Sequence, residues 1–367
     1  MRRFFVLAVL FLTVLAHGRV ALAAAPSVET MAGAMIMTGF SGTRAPASVR
    51  RAVAEGRLGG IILFDRGLKV EEKTYNIESA SQLRRMIAEL QAAAPHTLLV
   101  AVDQEGGRVR RLKKERGFFP LPSAAAMGSM DTDEVRRLGL RAGREMAALG
   151  INVDLAPVVD VRRSKRSPGL GDADRLFGSD ASAVARKALA FADGLYEAGV
   201  IPALKHFPGL GSASSDSHKD LPDVTRHWSE EELLPYKEAF RRGWKGMVLV
   251  GHVYHRGLDG ELPSSLSAFV IEGLLRRRMG WDGVVISDDL QMGAVTGRTL
   301  EERVLLALNA GNDILLFGNH LDYDPELHNR IFQAVMDLVH RGKVSRERLE
   351  TSWRRIERMK LGLAARQ

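Results

Sequence analysis

Lys205, His206, Asp216 and His218 stand within the stretch ALKHFPGLGSASSDSHKDLP, residues 203–222. Lys205 and His206 close an apolar run, so a strand tip would hold them rigidly. Asp216 and His218 follow after Gly209, Gly211 and several serines, on what reads as a pliable loop. An aspartate beside a histidine orients the imidazole, fixes its tautomer and raises its basicity. From an unperturbed pKa of about 6.5, such a pair can protonate a leaving group and later take a proton from water near neutral pH. The plain alternative has Asp216 accepting from local backbone N–H groups while His218 faces solvent.

Two other tracts carry acids at comparable places. Ser287-Asp288-Asp289 directly follows Gly-Val-Val-Ile. At a strand tip Asp288 can serve as a metal ligand, a general base or a covalent nucleophile. Asp289, before LQMGAV, reads as the start of a turn or the cap of a helix. VDQEGGRVRR sets Asp103 at the end of a run, with paired glycines for a tight turn and arginines able to reach back. Taken alone it is equally a structural turn with a buried salt bridge. It lacks the Walker pattern and any GxGxxG, which argues against a nucleotide site.

These residues need elements to position them, and the chain supplies a regular set. Apolar runs recur at 34–40, 59–64, 97–103, 151–160, 200–206, 246–252, 283–289 and 312–318, each too short for a helix. Continuous rather than alternating apolarity marks strands buried on both faces. Between them lie helical patterns. One, after Ser79, has Leu83, Ile87 and Leu90 at helical spacing, and two others stop at Gly150 and Gly199. Eight strands alternating with helices predict an α/β fold, a single-domain (β/α)8 barrel over 27–367. Asp103, Asp160, Lys205 with His206, His252 and Asp288 all fall at or just past strand ends. In this fold those ends converge on the face where active sites are built.

Composition narrows the setting. The 367 residues are 46% hydrophobic, ample for a large core without the help of disulfides, and there is no cysteine. Arg2 and Arg3, an apolar stretch from Phe4 to Ala16 and the small-x-small Ala21-Leu22-Ala23 lay out a secretory signal peptide over 1–23. The alternative, an uncleaved anchor, meets an apolar stretch short of the roughly 20 residues a span needs. Loss of Arg2, Arg3 and Arg19 would lower the formal charge from +8 to +5. That charge predicts at most weak attraction to an anionic envelope. No basic run with interleaved aromatics points to nucleic acid. The expected location is the periplasm or the outside.

Together VDQEGGRVRR, INVDLAPVVDV, DRLFGSD, KHFPGLGSASSDSHKDLP and GVVISDDLQMGAV resemble, in order and spacing, the β-N-acetylglucosaminidases of glycoside hydrolase family 3, over roughly residues 28–360. The resemblance implies a (β/α)8 barrel and a retaining mechanism that uses no cofactor and no metal. It implies Asp288 as nucleophile, His218 as acid/base and Asp216 as its partner. It further implies that Asp103, Arg111, Arg175, Lys205 and His206 hold the terminal sugar, Arg111 being preferred to the adjacent Arg110 on the family's spacing. The implied substrate is a carbohydrate with terminal β-linked N-acetylglucosamine, expected here to be a peptidoglycan fragment.

The chain departs from the pattern at Leu210, where the family's loop commonly reads Pro-Gly-His-Gly. It also departs in its apparent export. Readings left open within the family are a β-glucosidase or a phosphorylase. Outside it stand a metal-dependent hydrolase using His206, His218, His252, His255 and Asp288, or a non-catalytic sugar-binding protein. No HxH ends an early strand and no HExxH occurs, which weighs against the metal reading.

Overall fold

Residues 26–67, 75–163, 170, 174–213 and 221–364 are described by the structure, a computed structural model of the chain. Residues 1–23, read as a signal peptide, lie outside that range, as do Asp216 and His218. No helix among the described residues is long and apolar enough to cross a membrane.

Each of the eight apolar runs contains a strand: β1 (Ile36–Thr38), β2 (Gly60–Ile62), β3 (Leu99–Val102), β6 (Val153–Asp154), β7 (Ile201–Phe207), β8 (Met247–Val250), β9 (Val285–Ser287) and β10 (Leu315–Phe317). A short hairpin, β4 (Gln104–Gly106) and β5 (Val109–Arg110), is inserted straight after β3. The eight strands pair in parallel in the order β10-β1-β2-β3-β6-β7-β8-β9. A parallel bridge between Ile286 and Ile314 brings the two edges together and rounds the sheet into a (β/α)8 barrel. Every residue of these eight strands is buried, as continuous apolarity requires when one face meets the barrel interior and the other the helices.

The helices begin and end as their sequence signals suggest. Ser79 caps Ala80–Ala93, its hydroxyl accepting the N–H of Gln82. Thr132–Leu149 ends on Gly150 at φ 88°, a left-handed conformation that only glycine adopts cheaply. Between 289 and 296 the chain forms not an α-helix but a single 3₁₀ turn, Gly293–Val295. Of the two roles open to Asp289, it therefore takes the turn: its carboxylate accepts the N–H of Gln291 at 3.0 Å and that of Gly318 at 2.9 Å.

The last helix, Arg346–Ala364, packs on segments that lead into strands. Arg348 donates to the carbonyls of Leu308 and Asn312, Ser352 to Asp313, and Arg355 and Arg358 to Asp282. All of these acceptors precede β9 or β10, so the helix covers the N-terminal end of the barrel in that sector. The opposite end is left to the strand tips.

Candidate active site

The hairpin β4–β5 exists because Gly106 and Gly107 adopt φ of 93° and 58°. A side chain at 106 would also collide with the carbonyl of Pro122, 1.9 Å from the Cβ position. This turn folds Glu105 and Arg111 back over the end of β3. Asp103 then receives Lys205 Nζ on Oδ1 at 2.9 Å and Arg111 on Oδ2 at 2.8 Å. Glu105 accepts the same lysine at 2.7 Å and a bidentate fork from Arg175 at 2.7 and 2.8 Å. Arg110, which the sequence could not separate from Arg111 without the family's spacing, donates instead to the Gly107 carbonyl.

Five residues from four parts of the chain thus form one network at the mouth. Its depth is graded: the side chains of Glu105 and Lys205 are 2% and 4% exposed, those of Asp103 and Arg111 14% and 21%. Burial pushes the Asp103 carboxyl up, but Lys205 and Arg111 outweigh it and hold the group far below the usual carboxylate range. Burial likewise raises Glu105, and Arg175 with Lys205 override it to about 2. Burial works against the Lys205 ammonium, yet Asp103 and Glu105 raise its pKa. Both carboxylates and the ammonium are therefore ionised at neutral pH. Two N–H bonds of Lys205 serve these carboxylates, and among the described residues the third has no acceptor. Fixed charges with hydrogen-bonding capacity in hand are what a polyhydroxylated ligand requires.

Sequence reasoning missed several members of this rim. Glu105 was visible only as part of its tract, although two acids at i and i+2 past a strand imply buried cations to match them. Asp65, past β2, pairs with Lys113 at 2.5 Å and lies 3.7 Å from Arg111. Phe64 stacks on His320 at 3.7 Å, and the Arg111 guanidinium lies 5.1 Å from the Phe64 ring centre. Asp154, at the end of β6, accepts the N–H of Gln104 at 2.9 Å. Burial pushes its carboxyl up to about 8, so it adds no full negative charge to the cluster at pH 7.

His206 sits beside Lys205 but is held differently. Its Nδ1 lies 2.7 Å from Asp160 Oδ2, and both groups are buried. Asp160 also accepts the backbone N–H of His206 and, at 2.7 Å, that of Leu210. Leu210 is 5% exposed and packs with Val158, Leu170, Leu176, Ala213, Val224 and Val253 in a small apolar cluster apart from the main core. A leucine at this position therefore belongs to the packing beneath the loop.

On the far side of the mouth Asp288 follows β9 at once, half-buried, its N–H donating to Val250 and its Oδ1 accepting the N–H of Asp289 at 2.9 Å. Its neighbours stitch the β9–β10 edge. Ser287 Oγ accepts the N–H of Leu316, and Asp289 accepts that of Gly318. His252 is fully buried, with Nε2 2.8 Å from the Asp289 carbonyl and Nδ1 2.5 Å from Ser265 Oγ. A carbonyl can only accept, so Nε2 carries a proton. His206 and His252 are thus occupied within the fold. Among the described residues no group of three or more His, Cys, Asp or Glu side chains could hold a metal ion.

Comparison with known proteins identifies the family. Residues 27–359 match the glycosyl hydrolase family 3 N-terminal domain. A β-hexosaminidase of Tolumonas auensis is 35% identical over 292 residues, 78% of this chain and 83% of that protein. One of Alkalilimnicola ehrlichii is 36% identical over 301 residues, 79% and 82% of the two chains. A family 3 β-N-acetylglucosaminidase structure from Paenibacillus superposes with a TM-score of 0.85 at 33% identity. That match covers 94% of this chain but 64% of the Paenibacillus one, so the present chain spans less than two thirds of that relative. A β-N-acetylhexosaminidase from Beutenbergia cavernae gives a TM-score of 0.83 at 28% identity, covering 92% and 99%. With the family model spanning nearly all the described residues, the chain belongs to glycosyl hydrolase family 3, and it is a glycoside hydrolase of the β-hexosaminidase kind.

Proposed function

We propose that the enzyme removes terminal β-linked N-acetylglucosamine from peptidoglycan fragments, with retention, through a covalent intermediate on Asp288. The observation that carries this reading is the ionised Asp103–Lys205–Glu105 cluster at the mouth of a barrel that also sets Asp288 at a strand tip. In the first step the Asp288 carboxylate attacks the anomeric carbon. The bond from that carbon to the leaving oxygen breaks, and His218, steadied by Asp216, protonates that oxygen. In the second step His218 takes a proton from water, the water oxygen bonds to the anomeric carbon, and the Asp288 carboxylate departs. Asp103, Arg111, Lys205 and the buried groups behind them, Arg175 and His206, hold the sugar hydroxyls or fix those that do. Export to the cell envelope, read from residues 1–23, belongs to the same proposal.

The test is a panel of aryl β-glycosides, the N-acetylglucosaminide, glucoside and xyloside, given to the wild type and to Asp288→Ala. The expected outcome is preference for the N-acetylglucosaminide and no measurable turnover in the variant. A preference for the glucoside sinks the substrate assignment. Turnover by Asp288→Ala near that of the wild type sinks the mechanism. Assays with and without inorganic phosphate separate hydrolysis from phosphorolysis.

A further inference from the structure

Glu232 is a buried carboxyl that the chemistry above does not use. It lies in the 3₁₀ turn Glu230–Leu233 and is 0% exposed. Its Oε2 accepts the backbone N–H of Gly211 at 3.0 Å. The same side chain presses on Gly209, where a Cβ would stand 2.6 Å from Oε2, and Gly209 has φ 129°. Gly211 is closed in from the other side, its Cβ position 1.8 Å from the Val161 carbonyl, and its own carbonyl accepts the N–H of Arg163. Between the two glycines the N–H of Leu210 goes to Asp160, which also holds His206. Trp228 Nε1 donates to the Pro208 carbonyl at 3.1 Å. Two carboxyl groups thus hold this turn, Asp160 through the N–H groups of His206 and Leu210 and Glu232 through that of Gly211.

We propose that Glu232 is a positioning residue for the reaction: with Asp160 it fixes the backbone at Gly209–Gly211, the root from which the segment bearing Asp216 and His218 departs. The inference rests on the reading of His218 as acid/base, and it concerns the root alone, since that segment lies outside the described residues. Asp160 is held by His206 and two backbone N–H groups, whereas Glu232 accepts one backbone N–H, that of Gly211, with the Ser212 side chain beside it. The other ionisable groups facing it are Arg163, already paired with Glu231, and the buried Tyr236. Burial first, and then Asp160, push the Glu232 carboxyl up to about 8. At neutral pH it is protonated and grips Gly211 without charge. As pH rises through that value it ionises against Asp160, and the hold on the root is disturbed.

The experiment compares wild type, Glu232→Gln and Glu232→Leu in kcat/KM for an aryl β-N-acetylglucosaminide from pH 5 to 9.5. Glutamine keeps an acceptor for Gly211 and cannot ionise. The ratio of activity at pH 9 to that at pH 7 is expected to be about tenfold higher in Glu232→Gln, as a group titrating near 8 dictates. Glu232→Leu, which loses the acceptor, is expected to lower kcat more than it raises KM at every pH, and glutamine to restore the loss. Circular dichroism confirms folding, and Glu232→Gln keeps the test alive if the leucine variant does not fold. Coincident alkaline limbs in wild type and Glu232→Gln overturn the proposal, as does a wild type that loses nothing between pH 7 and 9. His218→Ala, run alongside with good and poor leaving groups, separates the two readings. A limb moved by Glu232→Gln with equal losses in His218→Ala on both substrates sinks the acid/base assignment alone, whereas unmoved limbs with selective losses sink the present one.

Discussion

Two knots of buried charge lie at opposite ends of the barrel and are built to opposite specifications. At the N-terminal end Asp313 is fully buried among Arg276, Arg348 and Arg355. Its Oδ1 takes the Ser352 hydroxyl at 2.6 Å, and its Oδ2 takes Arg276 at 2.7 Å and the N–H of Val285 at 2.9 Å. Arg276 turns its other nitrogen to the carbonyls of Trp281 and Gly283. At the mouth Asp103 and Glu105 are also matched by charged side chains, but there Asp103 and Arg111 keep an exposed edge. Charge density does not distinguish the two. What does is where the remaining hydrogen bonds go: the clasp spends them on backbone groups and a hydroxyl, while the mouth leaves capacity at an exposed edge for a guest.

Lys205→Met is the most severe way to break that contrast. It deletes a donor at the mouth and takes one of two cationic partners from each of Asp103 and Glu105. We expect kcat/KM to fall by about a thousandfold, the scale for one oriented donor, and stability to drop by about 3–5 kcal/mol, the scale for a broken buried pair. Steady-state kinetics and urea titration read the two losses separately, and near-wild-type kinetics would deny the network a role in binding. Asp313→Ala applies the same surgery at the other end. It should cost stability on the order of 3 kcal/mol and leave kcat/KM of the folded enzyme within about twofold. A large kinetic defect in a fully folded variant would erase the distinction between clasp and site. The mildest probe is Arg175→Lys, which keeps the charge behind Glu105 and loses the fork. A loss of about tenfold in kcat/KM is expected, because Glu105 then holds Lys205 less firmly. No change at all would make Arg175 a matter of packing.

The barrel was legible because its signal is redundant. Eight apolar runs each held a strand, and runs such as GMVLVGH betray burial on both faces without any partner being known. Asp103, Lys205 and Asp288 were legible because they interrupt those runs at one end. Less visible were the residues whose importance comes from what they touch. Nothing about Glu105 or Asp65 distinguishes it from a solvated loop acid until the hairpin and Lys113 are placed against it. Glu232 stands in a run of three glutamates, and only the fold shows which of them turns inward beneath the loop while its neighbours bond to arginines at the surface. Leu210 stood out as a departure from a family pattern, and its reason, a small apolar cluster drawn from five separate segments, had no local sequence sign.

The seam between β9 and β10 has a bearing on how variants of this enzyme are interpreted. The two strands meet at one bridge, and the side chains of Ser287 and Asp289 replace rungs that the ladder does not supply. Three successive residues therefore share an address but not an occupation. An alanine scan through 287–289 would return three inactive proteins, and a reader of assay data alone would find three catalysts in a row. Melting curves would sort them: the outer two should soften the whole barrel, while the middle one, if it is the nucleophile, should leave a sound but silent enzyme.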